Sequence, residues 1–255
     1  MLLNSLPKTE NGPGRGTASS RIRAALREQI VGMRLLPGAA VVENEIATSF
    51  GVSRTPVREA LLQLVEERLI EVYPQSGTFV SKIRIDAARD GMIIRDALEC
   101  VTVAAAINNA TPSDMAHLRR VVTYQREAYR SKNFSDFHAA DEAFHQAICL
   151  IAGHPNIWCV IKREKVEADR CRMLALPISK RLKQVIEEHS AIIEAIASRN
   201  VGAAQATMSE HLAGIYPAID ELLQKYPSYF APYTSRTPFL EKARASNKQR
   251  LAFEY

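Results

Sequence analysis

ENEIATSFGVSRTPVREALLQLVEERL, residues 43–69, reads as two helices joined by a sharp corner. In the first, Ile46, Ala47 and Phe50 recur at helical spacing. Gly51 supplies the positive φ that a tight helix-to-helix corner needs. Ser53 is placed to cap the second helix, and Pro56 falls in its first turn, where a missing N–H costs nothing. Val57, Leu61 and Leu64 repeat at i, i+4, i+7 and make the core stripe. Arg54, Thr55 and Arg58 lie off that stripe at the N-terminal end. Two arginines and a hydroxyl in the first turns of a helix suit phosphates and base edges in a DNA major groove. The plainer alternative is a solvated basic face.

Residues 51–61, GVSRTPVREAL, resemble the core motif of GntR-type transcriptional regulators, and residues 36–47, LPGAAVVENEIA, resemble the segment that precedes it. Residues 70–82 are similar to the β-hairpin wing of that family. The resemblance implies a winged helix-turn-helix that reads double-stranded operator DNA. It implies contacts from Ser53, Arg54, Thr55 and Arg58, with a secondary contact from the wing tip at Gln75, Ser76 and Gly77. Two departures are visible. Asn44 stands where many members carry a DNA-contacting arginine, which implies an altered operator preference, and Arg68 stands where a glycine is common.

Working outward, the 255 residues are 47% hydrophobic and 24% charged, enough chain for one large or two modest domains. The net charge of +5 is unevenly spread. Residues 1–85 carry 11 Lys/Arg against 8 Asp/Glu, residues 86–226 carry 17 against 18, and residues 227–255 carry 5 against 2. A basic head and a neutral body fit a DNA-facing unit joined to one with another task. Residues 1–18 are expected to be a flexible arm, with Ser19 or Ser20 capping a helix that runs to Met33. The winged domain is expected over residues 19–84, with strands at 70–73 and 78–81 around the turn Pro74-Gln-Ser-Gly77. The four cysteines lack CxxC spacing, and three sit among apolar residues, which points to reduced thiols. No apolar run approaches the ~18 residues of a membrane span and no signal peptide is apparent, so a cytoplasmic protein is expected.

Residues 86–226 read as six or seven helices with no strand, so the fold class is mostly α: a winged head followed by an all-α antiparallel bundle. Thr111 or Ser113 and Ser135 are expected to cap helices, and Pro217 to kink one. Asp141 and His145, at i and i+4, share a face with Phe137, Phe144 and Ile148. His189 falls in the stripe of Leu182, Ile186, Ile193 and Ile196, and His211 lies with Ala204, Met208 and Ile215. Taken singly, each is an ordinary core histidine. Burying all four without partners costs several kcal/mol, whereas convergence on a divalent metal satisfies them together. Three imidazoles and a carboxylate suit Zn²⁺, Ni²⁺, Mn²⁺ or Fe²⁺.

The spaced set DEAFH at 141–145, EH at 188–189 and MSEH at 208–211 resembles the FCD effector domain of the FadR subfamily. That resemblance implies one metal held by Asp141, His145, His189 and His211. It also implies a small carboxylate effector gripped by Arg95; the alternative for Arg95 is a surface salt bridge to Glu99 at i+4. A homodimer is implied by two-fold operator symmetry. Two rival functions stay open at this level: a metal-dependent enzyme acting on a small organic acid, and a helical body that serves only for dimerisation. The tail at 227–255 is expected to be disordered or docked on a partner subunit, with a helix conceivable near 240–252.

Overall fold

The computed structural model describes residues 16–232. The expected tail helix and most of the N-terminal arm lie outside them. The head is built from α1 (Ala18–Val31), α2 (Glu43–Phe50), α3 (Arg54–Glu66) and an antiparallel hairpin of β1 (Ile70–Tyr73) and β2 (Gly77–Val80), with Ile70 opposite Val80. Its core joins Ile22, Leu26 and Ile30 of α1 to Ile46, Val57, Leu61, Leu64 and Leu69. The cap of α1 is Thr17, whose hydroxyl accepts from the Ser20 amide, rather than Ser19 or Ser20. Gly51 adopts φ 63° as the corner requires. Ser53 takes the N-cap position of α3 without a side-chain capping bond. Ala40 adds a bridge to Phe79, so the segment before α2 lies along the open edge of β2.

The body comprises eight helices among the described residues, more than the six or seven expected: α4 (Ile85–Asn109), α5 (Pro112–Arg130), α6 (Phe134–Ile151), α7 (Pro155–Glu164), α8 (Val166–Ala175), α9 (Leu182–Ala197), α10 (Val201–Ala213) and α11 (Tyr216–Lys225). Extra helices arise where the sequence reads as continuous. Lys165 alone separates α7 from α8, and Pro217 opens α11 in its first turn instead of kinking a longer helix. Thr111 caps α5 through a reciprocal box with Asp114, whereas α6 is capped by Asn133 rather than Ser135. α4 is the central helix, packing on α6, α7, α8, α9 and α10. Its alanine-rich sequence permits this, since small side chains let several helices approach. Gly91 marks the closest approach: a Cβ there would sit 2.3 Å from the Glu164 carbonyl oxygen.

Residues 227–231, assigned from sequence to the tail, dock on their own chain. Phe230 is buried in the body core, and Ile83 exchanges backbone hydrogen bonds with Tyr229 and Ala231 at 2.9 Å each. The free cysteines divide into buried Cys149 and Cys171, half-buried Cys100 and exposed Cys159. Burial pushes the Cys149 thiol up to about 11 and Cys171 up to about 12, so both stay protonated.

Two substitutions test this packing. Gly91→Ala should lower stability by about 1–3 kcal/mol, because backbone rather than a flexible side chain must yield; unchanged chemical denaturation would contradict the close approach. Exposed Arg68 holds φ 58°, the conformation that explains a glycine at this position. Arg68→Gly should therefore raise stability by about 0.5–1 kcal/mol in the same measurement.

Candidate metal centre and DNA-facing surface

Asp141 and His145 on α6, His189 on α9 and His211 on α10 meet inside the body, and one ligand atom from each lies within 4.8 Å of the others. All four are buried, none more than 4% exposed. Helical spacing brings this about: the i, i+4 pair projects from one face of α6, and His189 and His211 occupy core positions of paired α9 and α10. His211 Nε2 lies 3.2 Å from His145 Nε2 and 3.3 Å from His189 Nε2. Asp141 Oδ1 lies 3.5 Å from His189 Nε2.

The opposite edges of the rings fix the tautomers. His211 Nδ1 donates to Glu188 Oε2 at 2.8 Å, and His189 Nδ1 donates to Gln125 Oε1 at 2.8 Å. His145 Nδ1 abuts Glu99 Oε2 in a close polar contact. The Glu188 and Glu99 carboxylates can only accept, and Gln125 presents its amide oxygen to His189, so each ring proton belongs on Nδ1 and each Nε2 turns a lone pair inward. Phe144 stacks on His189 at 4.1 Å between ring centroids and fixes its plane. Three lone pairs and a carboxylate oxygen thus face one another, and Asp141 Oδ1 has no hydrogen-bond donor although it is fully buried. That arrangement repels itself unless a cation sits among the donors. The set fits a divalent transition metal, and the carboxylates behind the imidazoles are the partners such ligands need.

Electrostatics keep His189, His211 and Asp141 in their binding forms. Burial and neighbouring imidazoles push His189 and His211 well below the usual histidine value, so both are neutral. Burial alone would raise Asp141, but Arg172, 2.7 Å from Oδ2, and the imidazoles hold it well below the carboxylate range. Burial likewise opposes ionisation of Glu99, and Arg95 with His145 overcomes it.

Arg95 does not lie on the surface, as its salt-bridge reading required. It is 1% exposed, donates Nε to Glu99, and leaves Nη2 buried without a partner. The pairing with Glu99 is real, but it belongs to the layer behind His145. A cleft between α8, α9 and α10 reaches His211 and is lined by Phe137, Arg172, Leu176, Ser179 and Arg181 among others. Sequence reasoning missed Glu99, Gln125 and Arg172 as site residues. Gln125 had a signal, being polar in the stripe Leu118, Val122, Gln125, Ala128. Arg172 had none. His138 lies in a second group with Asp141 and Glu142. Burial lowers its pKa, and Glu142 is already paired with Lys165 at 2.7 Å.

On the head, Asn44, Ser53, Arg54, Thr55, Arg58, Gln75, Ser76 and Gly77 are all exposed. Asn44, Thr48, Gly51, Ser53 and Arg54 line one shallow depression where α2 meets α3. Arg58 is not free: its Nε donates to Glu43 Oε2 at 2.9 Å, an exposed pair that links α3 to the first residue of α2.

Comparison with known proteins agrees with this division. Residues 18–80 match bacterial regulatory proteins of the gntR family, and residues 92–214 match the FCD domain. A transcriptional regulator from an unstable DNA locus of Streptomyces ambofaciens is 34% identical over 215 residues, covering 84% of this chain and 89% of that protein. The transcriptional repressor RspR of Escherichia coli K12 is 32% identical over 213 residues, 84% of this chain and 93% of the repressor. The solved structure of E. coli McbR/YncC superposes with a TM-score of 0.70 at 24% identity, over 83% of this chain and 99% of that one, which is a likeness of fold. The chain belongs to the GntR family of bacterial helix-turn-helix transcriptional regulators, in the group whose second domain is an FCD domain.

Proposed function

We propose that this regulator is a homodimeric, cytoplasmic repressor whose hold on operator DNA is modulated by a small carboxylate metabolite bound at a metal in the helical body. The observation that carries the reading is the inward-facing set of three imidazole lone pairs and one unpartnered carboxylate oxygen, braced from behind by Glu99, Gln125 and Glu188. Asp141, His145, His189 and His211 would hold one Zn²⁺, Ni²⁺, Mn²⁺ or Fe²⁺ ion, which offers an organic acid a Lewis-acidic anchor. The cleft over His211 is its route, with Arg172 and Arg181 drawing an anion to the mouth. Arg95, with Nη2 unpaired, is the cation proposed to meet its carboxylate. Residues 19–84 act as the DNA-binding unit and residues 86–226 as the effector and dimerisation unit.

Arg54 and Arg58 are assigned to base edges or adjacent phosphates, Ser53 and Thr55 to phosphates, and Asn44 and the wing tip to flanking contacts. Among the described residues no helix is long and apolar enough to cross a membrane. The effector acts only through its different affinity for the two arrangements of the heads, one matched to the half-site spacing and one not. Catalysis is not part of the reading. Of the three carboxylates next to ligand positions, Glu142 is committed to Lys165, Glu188 to Arg181 and His211, and Glu210 is exposed on the surface.

Two measurements test these assignments. Chelator-stripped protein should melt at a lower temperature than protein given excess Zn²⁺, by about 2–3 kcal/mol of stability when free metal is ~100-fold above Kd. The double variant Asp141→Ala, His189→Ala should not respond to Zn²⁺, and an equal response would remove these residues as ligands. On duplexes selected by the wild-type protein from a random pool, Arg58→Ala should weaken binding by about 1–3 kcal/mol at fixed salt. Unaltered affinity would leave Arg58 as a surface partner of Glu43 and nothing more.

A further inference from the structure

Helix α8 touches both halves of the molecule. Val166, its first residue, packs on the core of the head, and the helix lies against α1. Residues 170 and 172 are two apart, so their side chains leave the helix about 200° from each other. Arg172 points inward and donates to Asp141 Oδ2 at 2.7 Å. Arg170 points the other way, into the joint between head and body. It is 0% exposed, donates Nη2 to the Ser81 carbonyl at 2.6 Å and pairs through Nη1 with Glu167 Oε2 at 3.0 Å. Glu167 in turn accepts from Arg84 Nε at 3.4 Å. The strap 81–84, which leads from the wing into α4, is therefore gripped by α8 on one side and by the backbone of residues 229–231 on the other.

This joint is not built for stability alone. Burying a guanidinium costs several kcal/mol, and apolar residues of similar volume generally pack at least as stably. Burial pushes the Arg170 pKa down against the pull of Glu167. Two further polar atoms of the joint, Arg170 Nε and Ser81 Oγ, are buried without partners. Buried polar atoms left without partners at a joint between two packed units call for a reason other than packing.

We infer that α8 is the coupling element of this regulator: the state of the Asp141–Arg172 pair is passed along the helix to the Arg170–Ser81 contact, which sets how the head is held. The origin of the signal rests on the metal-site reading above; the mechanical link does not.

Hydrogen–deuterium exchange on the full chain tests both parts, with Zn²⁺ alone as the probe. The amides read are Ser81 and Ile83, whose own hydrogen bonds go to Leu69 and Tyr229 and not to Arg170. In the wild type, Zn²⁺ should slow exchange in α6, α9 and α10 and alter exchange at Ser81 and Ile83 by about fivefold or more. In Arg170→Gln the helices should still be protected, which shows that the variant folds and binds, while the strap no longer responds. An equal strap response in both proteins overturns the coupling. If Zn²⁺ protects nothing in the wild type, the metal reading has failed, and Arg172→Gln then decides the link. Its effect on strap exchange should vanish in the Arg170→Gln background, and persistence of the effect there overturns the inference.

Discussion

Four donor atoms facing one another in a dry core are the constraint on which the body depends. Apolar packing places α6, α9 and α10, but it cannot by itself tolerate three imidazole lone pairs at 3.2–3.3 Å beside an ionised carboxylate. The surrounding groups make sense only as a support for that arrangement. Glu99, Gln125 and Glu188 fix the proton on the outer edge of each ring, Phe144 fixes one ring plane, and Arg172 keeps Asp141 anionic. Apart from Phe144, which also belongs to the apolar core, none of these helps the core as an apolar core. Together they form a cage that could hold a cation, and on the reading proposed above its occupancy and the stability of the body are linked.

The same layer explains why a regulator can use such a cage. Arg172 reads the charge at Asp141 from a helix that also holds the strap leading to the DNA-binding head. The Asp/His cluster and the joint are reached from a single helix, through Arg172 on one side and Arg170 on the other. A small change at Asp141 thus has a short mechanical route to the head, through Arg172 and Arg170 of one helix.

Much of this was legible in the sequence because periodicity and local chemistry act over a few residues. The corner at Gly51, the stripe of α3, the wing and the i, i+4 pair of Asp141 and His145 are short-range features, and the structure places each where its pattern indicates. The clustering of Asp141, His145, His189 and His211 was indicated by their core positions and by spacing shared with a family, since His189 and His211 meet Asp141 only through tertiary packing. The helix count was misjudged where one residue, Lys165, breaks a continuous pattern, its cation held by Glu142 and Asp169. A surface salt bridge stood as the alternative for Arg95 because an i, i+4 pair with Glu99 is equally compatible with a solvated or a buried face. Its burial depends on His145 arriving from another helix, which no local pattern records. The grip of Arg170 on Ser81 joins residues 89 apart in the chain and left no trace in the sequence.

The central claim is that the cage holds a metal. Elemental analysis of tag-free protein prepared without chelator tests it most directly. The account predicts about one equivalent of a transition metal per chain. Protein that carries none, and takes up none after Zn²⁺, Ni²⁺ or Mn²⁺ is added and the excess removed, would contradict it.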